Sequence, residues 1–469
     1  MGSIRTPTRF PCREGVDPSP LGQPLNFAFS GRTAKSRFLK AAMTEYMCTW
    51  SSTDRDGRGI PTPEYIKLYR TWGQGGFGVV LTGNILIDMD HLEGQGNAIV
   101  PLDATLDGPR FDGFRQFAKA AKADGSLILG QLNHPGRQAV ETMQPNPVSA
   151  SDVQLIKTDM GGATFGKPHP ASLDEIAHIK ASFVHAAVYL EAAGFDGIQL
   201  HAAHGYLLAQ FLSQTTNLRT DAYGGSLENR ARLIIEVADD IRSRTRHDFV
   251  LGIKINSVEF QERGFSAEEA ARLCELLEGH RFDFVELSGG TYEDNQWTQP
   301  RESTKAREAF FLEFADGIVP HLRQTRSYVT GGLRTVGAMV DALGSVDGVG
   351  LGRPACTEPG VARDVIEGMV GSCIRPLLND PLDFGETSNL AGVQMNRVGR
   401  GEEPIDPSDE GAIERFKEEV KSFNFYRRTF DNLQHLHRPG IRPTKHPTFR
   451  GLSGPHTARL AHLKPVLDP

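Results

Sequence analysis

Eight short apolar runs, at residues 37–43, 77–82, 127–132, 197–201, 250–255, 284–287, 328–330 and 348–351, set the tightest limit on what this chain can fold into. Each is an aliphatic run with glycine or turn-forming residues close by, as strands buried on both faces of a parallel sheet are. Between them lie stretches of helical period. Residues 110–122 put Phe111, Phe114, Phe117 and Ala121 on one stripe. Residues 174–193 follow Ser172, a capping residue, and stop at Gly194. Residues 228–244, 266–277 and 307–322 have the same amphipathic character. Strand and helix alternate without an all-helical block between them. That pattern predicts the α/β class and a (β/α)8 TIM barrel, with an open doubly wound sheet as the competing arrangement.

At 469 residues the chain has room for one barrel and additions. We expect an irregular leader over 1–33, rich in Pro, Gly and Ser, a barrel over 34–373, and a C-terminal extension over 374–469. A long loop after strand 3, residues 133–170, emerges on the side where barrel active sites lie. The extension holds one strong helical pattern, at 410–429, before a basic, Pro-rich stretch. Acidic residues outnumber basic ones 58 to 51 and no long basic run occurs, which argues against a nucleic-acid partner. Cys12, Cys48, Cys274, Cys356 and Cys373 are scattered with no C-x-x-C spacing, so neither a zinc knuckle nor a cysteine-ligated cluster is expected. They read as reduced thiols of a cytoplasmic protein. No run of about 18 apolar residues suggests stable membrane insertion. Gly2 with Thr6 fits a short myristoylation pattern, but one acyl chain binds membrane only marginally. Homo-oligomerisation is left open.

The residues that carry chemistry fall at strand ends. His201-Ala-Ala-His204-Gly-Tyr206 follows the fourth strand. Two imidazoles can offer N–H groups to one oxygen, and a neutral phenol can donate a proton at physiological pH. A zinc site and a pair of structural histidines are the competing readings. Gln131, closing the third strand, carries donors and an acceptor suited to an amide edge, or it simply caps the strand. Thr330-Gly331-Gly332 ends the seventh strand and Gly350-Leu351-Gly352-Arg353 the eighth, the two positions where barrels commonly bind phosphate. Lys254 lies in the fifth strand, where it can stabilise an anionic ring or form a Schiff base.

In this combination the chain resembles the old yellow enzyme family, from about residue 35 to 369. It is most similar to the xenobiotic-reductase-like and fungal branches. The resemblance is carried by Ser36-Arg37 through Ala42-Met43-Thr44, by Gln131-Leu-Asn-His-Pro-Gly-Arg137, by the stretch from Gly194 through His201, His204 and Tyr206, and by 217–230. It implies FMN across the barrel mouth, with NADH or NADPH as hydride donor. It further implies that Ala42, Met43, Thr44 and Gly83 line the flavin ring, and that Gln131 and Lys254 meet its pyrimidine edge. Gly332, Gly352 and Arg353 would hold the phosphate. His201 and His204 would grip a substrate carbonyl, Tyr206 would be the proton donor, and Tyr46 would help bind substrate. Lys254 stands where many members have Arg, and Ala41-Ala42-Met43 where many read Ala-Pro-Met. The resemblance thus implies an NAD(P)H-dependent ene-reductase that saturates the C=C bond of an α,β-unsaturated carbonyl compound. An FMN-dependent isomerase or dehydrogenase of a secondary-metabolite intermediate, and a lyase using Lys254, are the alternatives.

Overall fold

The computed structural model describes residues 6–156, 164–259, 264–292, 311–378 and 384–423. Eight parallel strands close on themselves: β1 Phe38–Lys40, β2 Val79–Leu86, β3 Leu127–Asn133, β4 Gly197–Ala202, β5 Val250–Asn256, β6 Phe284–Ser288, β7 Arg326–Thr330 and β8 Gly348–Leu351. Each pairs with its sequence neighbours, and β8 pairs with β1. The open-sheet alternative is thereby replaced by a TIM barrel. The helices following the strands are α1 Pro63–Gly73, α2 Gly108–Ala121, α3 Leu173–Ala192, α4 Leu227–Arg244, α5 Ala267–Gly279, α6 Leu312–Ile318, α7 Val336–Ala342 and α8 Val361–Ile366. Ser172 and Ser266 each form a capping box with the glutamate three residues on, which fixes where α3 and α5 begin.

The strands read as unbroken apolar runs because both faces are buried. Phe38, Val80, Ile128, Ile198, Ile253, Val285 and Val349 belong to the cluster packed against the helices. The alternate residues Leu39, Leu81, Leu129, Val250, Phe284 and Tyr328 form a second cluster inside the barrel. That inner set turns polar toward the strand C-termini. Two residues beyond Leu129 is Gln131, and the same inward parity gives Gln199 and His201 on β4, Lys254 on β5 and Glu286 on β6. An apolar floor thus lies beneath a polar layer.

Several expectations need adjustment. The first strand is only Phe38–Lys40; residues 41–49 leave the sheet. The leader is not wholly irregular. Leu25–Asn26 pairs antiparallel with Thr33–Ala34, and Leu25 and Phe27 join the inner cluster against Phe284. The helix expected over 307–322 is Leu312–Ile318 with a 3-10 turn, Val319–His321; 307–310 lie outside the described residues. In the extension, α9 Phe384–Arg400 was not anticipated, and α10 Glu410–Phe423 takes the place of 410–429, whose last six positions are outside the described residues. The described residues of the extension belong to the same compact unit as the barrel. No described helix is long and apolar enough to cross a membrane.

Candidate active site

The site begins with a defect in β2. Its register against β3 shifts between Leu81 and Asn84. The displaced Gln131 N–H is satisfied by Thr82 Oγ1 at 2.8 Å. Bulges of this kind re-aim side chains beside active sites. Within the bulge, the Gly83 N–H donates to Glu45 Oε1 at 2.9 Å. A Cβ at Gly83 would lie 2.2 Å from Glu45 Oε2 and 2.5 Å from the Met43 carbonyl oxygen. Glycine therefore lets the 42–45 segment lie against β2.

Past the bulge, Asn84 enters a buried polar chain. Its Nδ2 donates to Glu93 Oε1 at 2.8 Å, so its Oδ1 faces His201 Nδ1 at 2.9 Å. With the amide so turned, His201 carries its proton on Nδ1. His201 Nε2 meets His204 Nδ1 at 3.2 Å, and His204 Nε2 meets Ser288 Oγ at 2.8 Å. Burial holds both imidazoles well below their usual pKa, reinforced at His201 by His204 and then Lys254, and at His204 by Lys254. Two neutral rings therefore share a single proton between the nitrogens that face each other. The expectation that each offers an N–H at once meets this constraint. His204 Nδ1–H is ready to donate, whereas His201 Nε2–H requires the other tautomer and an Asn84 amide turned end for end. His204 adopts φ +58° and its own N–H donates to Asn256 Oδ1 at 3.1 Å. The local backbone is strained to present this ring.

Tyr206 packs its ring on His201, centroids 4.5 Å apart. Its hydroxyl donates to Glu93 Oε1 and lies 2.9 Å from the Tyr292 hydroxyl. Burial and the neighbouring Glu93 push the phenol well above its ordinary pKa, so it holds its proton. Burial raises Glu93 as well, opposed by hydrogen bonds from Tyr206, Asn84 and Asn97.

Below the imidazoles, Gln131 Nε2 donates to Gln199 Oε1 at 2.6 Å, Gln199 Nε2 to Glu286 Oε2 at 2.8 Å, and Lys254 Nζ lies 3.2 Å from Glu286 Oε1. A Schiff base requires the amine lone pair; a lysine held in a buried ion pair is poorly arranged for it, which weighs against the lyase alternative.

A cleft with about 730 Å³ of atom-free space, partly open to solvent, runs from His204 and Lys254 to the ends of β7 and β8. Ala42, Met43, His204 and Lys254 line it, as do Gly332, Gly352 and Arg353. Gly331 and Gly332 have φ of +132° and +86°, which side chains rarely adopt. Among the described residues, Lys254, Arg334 and Arg353 give the lining three cations and no carboxylate. Thr330 Oγ1 is a buried hydroxyl with no partner among the described residues. A flat, phosphate-bearing ligand fits this lining: glycine turns and guanidinium groups for the anion, an uncharged wall at Ala42 and Met43, and a lysine for an anionic ring edge. Thr44, Tyr46, Gly83, Gln131, His201 and Tyr206 are not among its lining residues. Tyr46 has φ +52°, with its carbonyl packed where a Cβ on Gly96 would go.

Sequence reasoning missed Asn84, Glu93, Gln199, Glu286, Ser288 and Tyr292. Gln199 and Glu286 had a signal, since each is a polar residue at inward parity within an apolar strand. Glu93 and Tyr292 lie in loops, where no periodicity marks them.

Another polar cluster lies close by. Asp88 Oδ2 is 3.0 Å from His91 Nδ1 and 3.8 Å from His134 Nε2. The opposite ring nitrogens accept backbone N–H groups, from Val148 to His91 Nε2 and from Gly136 to His134 Nδ1. The nitrogens turned toward Asp88 are therefore the protonated ones. The trio is a hydrogen-bonded clasp, and its tautomers oppose metal ligation.

A model of the NADH:flavin oxidoreductase / NADH oxidase family matches residues 20–369. The NADH-dependent flavin oxidoreductase nadA of Aspergillus parasiticus is 47% identical over 430 residues, covering 91% of this chain and 96% of that protein. The NADH-dependent flavin oxidoreductase iccE of Talaromyces variabilis is 34% identical over 362 residues, covering 72% and 84%. Among solved structures, an old yellow enzyme homologue from Zymomonas mobilis superposes with a TM-score of 0.60 at 22% identity, over 75% of this chain and 94% of that one. Morphinone reductase in complex with tetrahydroNAD gives 0.59 at 23%, over 76% and 93%. These last two speak to the fold.

Proposed function

Because this chain belongs to the NADH:flavin oxidoreductase / NADH oxidase family, the old yellow enzymes, and is a flavoprotein that uses FMN and a nicotinamide hydride donor, we propose that it reduces the activated C=C bond of an α,β-unsaturated carbonyl compound. The observation that carries this reading is the stacking of a proton-bearing phenol, Tyr206, on His201, whose partner imidazole His204 lines the cleft.

FMN, when bound, supplies the redox chemistry, accepting hydride equivalents from NADH and passing them on to the acceptor. Gly332, Gly352 and Arg353 would hold its phosphate, with Ala42, Met43 and Lys254 on the cleft side of its ring and Thr44, Gly83 and Gln131 the further residues expected near it. His204 Nδ1–H is released from His201 when a carbonyl oxygen enters, and it donates to that oxygen. His201 adds a second N–H on changing tautomer, and the two draw charge toward the oxygen. Tyr206 turns its hydroxyl from Glu93 and delivers a proton to the carbon next to the carbonyl. Glu93 and Asn84 hold the phenol and His201 in register. Tyr46 contacts the substrate beyond the imidazoles.

Anaerobic incubation of the purified yellow protein with NADH and a simple cyclic enone tests the reading. One NADH should be consumed for each saturated ketone formed. Rearranged product without NADH consumption would establish isomerisation instead.

A further inference from the structure

Arg353 reaches out of the barrel to the extension. Its Nη1 donates to Thr387 Oγ1 on α9. Thr387 is buried, and α9 is held by packing: Leu390, Ala391, Met395 and Val398 are all buried. Gly399 brings the helix so close to α1 that a Cβ there would lie 2.8 Å from the Glu64 carbonyl oxygen and 2.5 Å from Met47 Cε. Behind Arg353 is a second space, about 450 Å³ of atom-free volume, walled jointly by the barrel and the extension. Arg334, Arg353 and Pro354 line both this space and the main cleft, so the two share a wall.

We propose that Thr387 is a positioning residue for Arg353, and that the C-terminal extension thereby completes the site for the flavin phosphate. This rests on the reading of Arg353 as a phosphate ligand. An arginine has four rotatable side-chain bonds, and a phosphate uses its planar fork well only in one orientation. Thr387 is β-branched and helical, so its Oγ1 is itself restricted in direction. Holding one nitrogen of the guanidinium on that oxygen sets the plane of the fork before the anion arrives, and the ordering cost is met by the fold. The extension then acts on cofactor retention without touching the reacting atoms.

The test is FMN dissociation from the diluted holoenzyme, read as the rise of free-flavin fluorescence, together with reconstitution by riboflavin, which lacks the phosphate. Thr387→Val should raise the FMN dissociation constant roughly tenfold, the scale of one hydrogen bond to a charged group. It should leave riboflavin affinity unchanged, and Thr387→Ser should stay within about twofold of the parent. In an Arg353→Ala background Thr387→Val should add nothing. If Arg353→Ala weakens FMN and Thr387→Val does not, the positioning role is wrong while the phosphate reading stands. If Arg353→Ala has no effect on FMN, the phosphate reading fails and takes this inference with it. Equal weakening of FMN and riboflavin by Thr387→Val, or an undiminished effect in the Arg353→Ala background, would mean lost packing and would also overturn the proposal.

Discussion

At the scale of single residues, the proposed reaction separates groups that would touch a substrate from groups that hold them. Tyr206→Phe removes one oxygen and keeps the ring that packs on His201. General acid catalysis contributes on the order of 10²-fold to 10⁴-fold, so enone reduction should fall by at least about 10². NADH oxidation with a quinone acceptor should persist, since no protonation of carbon is needed. A variant that loses both equally would remove Tyr206 from the acid role. Glu93→Gln keeps a hydrogen-bonding side chain beside Tyr206 and Asn84 but cannot act only as an acceptor. A smaller loss, roughly tenfold, is expected in the enone half-reaction measured by stopped flow. Tyr206, His201 and His204 were legible because they cluster in six consecutive positions at a strand end. Glu93 was not, because its part in the site comes only from the path of a loop, and nothing in the neighbouring sequence encodes that path.

At the scale of elements, eight strands were found from composition and turn signals, because burial on both faces leaves an unmistakable apolar run. Their ends were harder to place. The β2 bulge lengthens the strand to Leu86 and re-aims Asn84, and it depends on contacts with β3 and with 42–45 that no local pattern reveals. Gly83→Ala tests that arrangement. The added methyl meets a backbone carbonyl at 2.5 Å as well as the Glu45 carboxylate, and backbone cannot rotate away. Overpacking of this sort costs about 1–3 kcal/mol, so thermal unfolding of the apoprotein should shift down by about 1–3 °C in a unit of this size. Bound FMN should be lost more readily, because the displaced segment carries Met43 and Thr44. An unchanged melting temperature would show that the 42–45 segment can move aside freely. The same logic explains why α9 was missed. Its apolar face is cut to fit α1 and Met47, and Gly399, a poor helix former, is there to allow close approach.

At the scale of the whole molecule, the polar layer makes folding depend on keeping buried imidazoles uncharged. Burial, with His91 adding and Asp88 opposing, brings His134 down to about 3, and His201 and His204 are also held well below the usual value. Each of these groups binds a proton more weakly folded than unfolded. Its contribution to stability is therefore intact above the unfolded value near 6.5 and is lost as pH falls below it, down to the folded value. Buried Glu45, Glu93 and Glu259 act in the opposite sense, because burial raises them and the folded state takes up their protons first. The net slope with pH is thus a contest between the two sets, and a single variant isolates one side of it. For His134 alone, an unfolded value of about 6.5 and a folded value of about 3 correspond to about 2 kcal/mol lost between pH 7.5 and pH 5. His134→Gln removes that titration while leaving a polar group to accept the Gly136 N–H. Urea unfolding at both pH values should show the variant destabilised at pH 7.5, with the deficit shrinking by about 2 kcal/mol at pH 5. A deficit that stays constant would mean that His134 takes up its proton as readily folded as unfolded, and is charged at pH 5 in both states. The Asp88 clasp would then be an ion pair, and the loops after β2 and β3 would be joined by charge instead of by neutral hydrogen bonds.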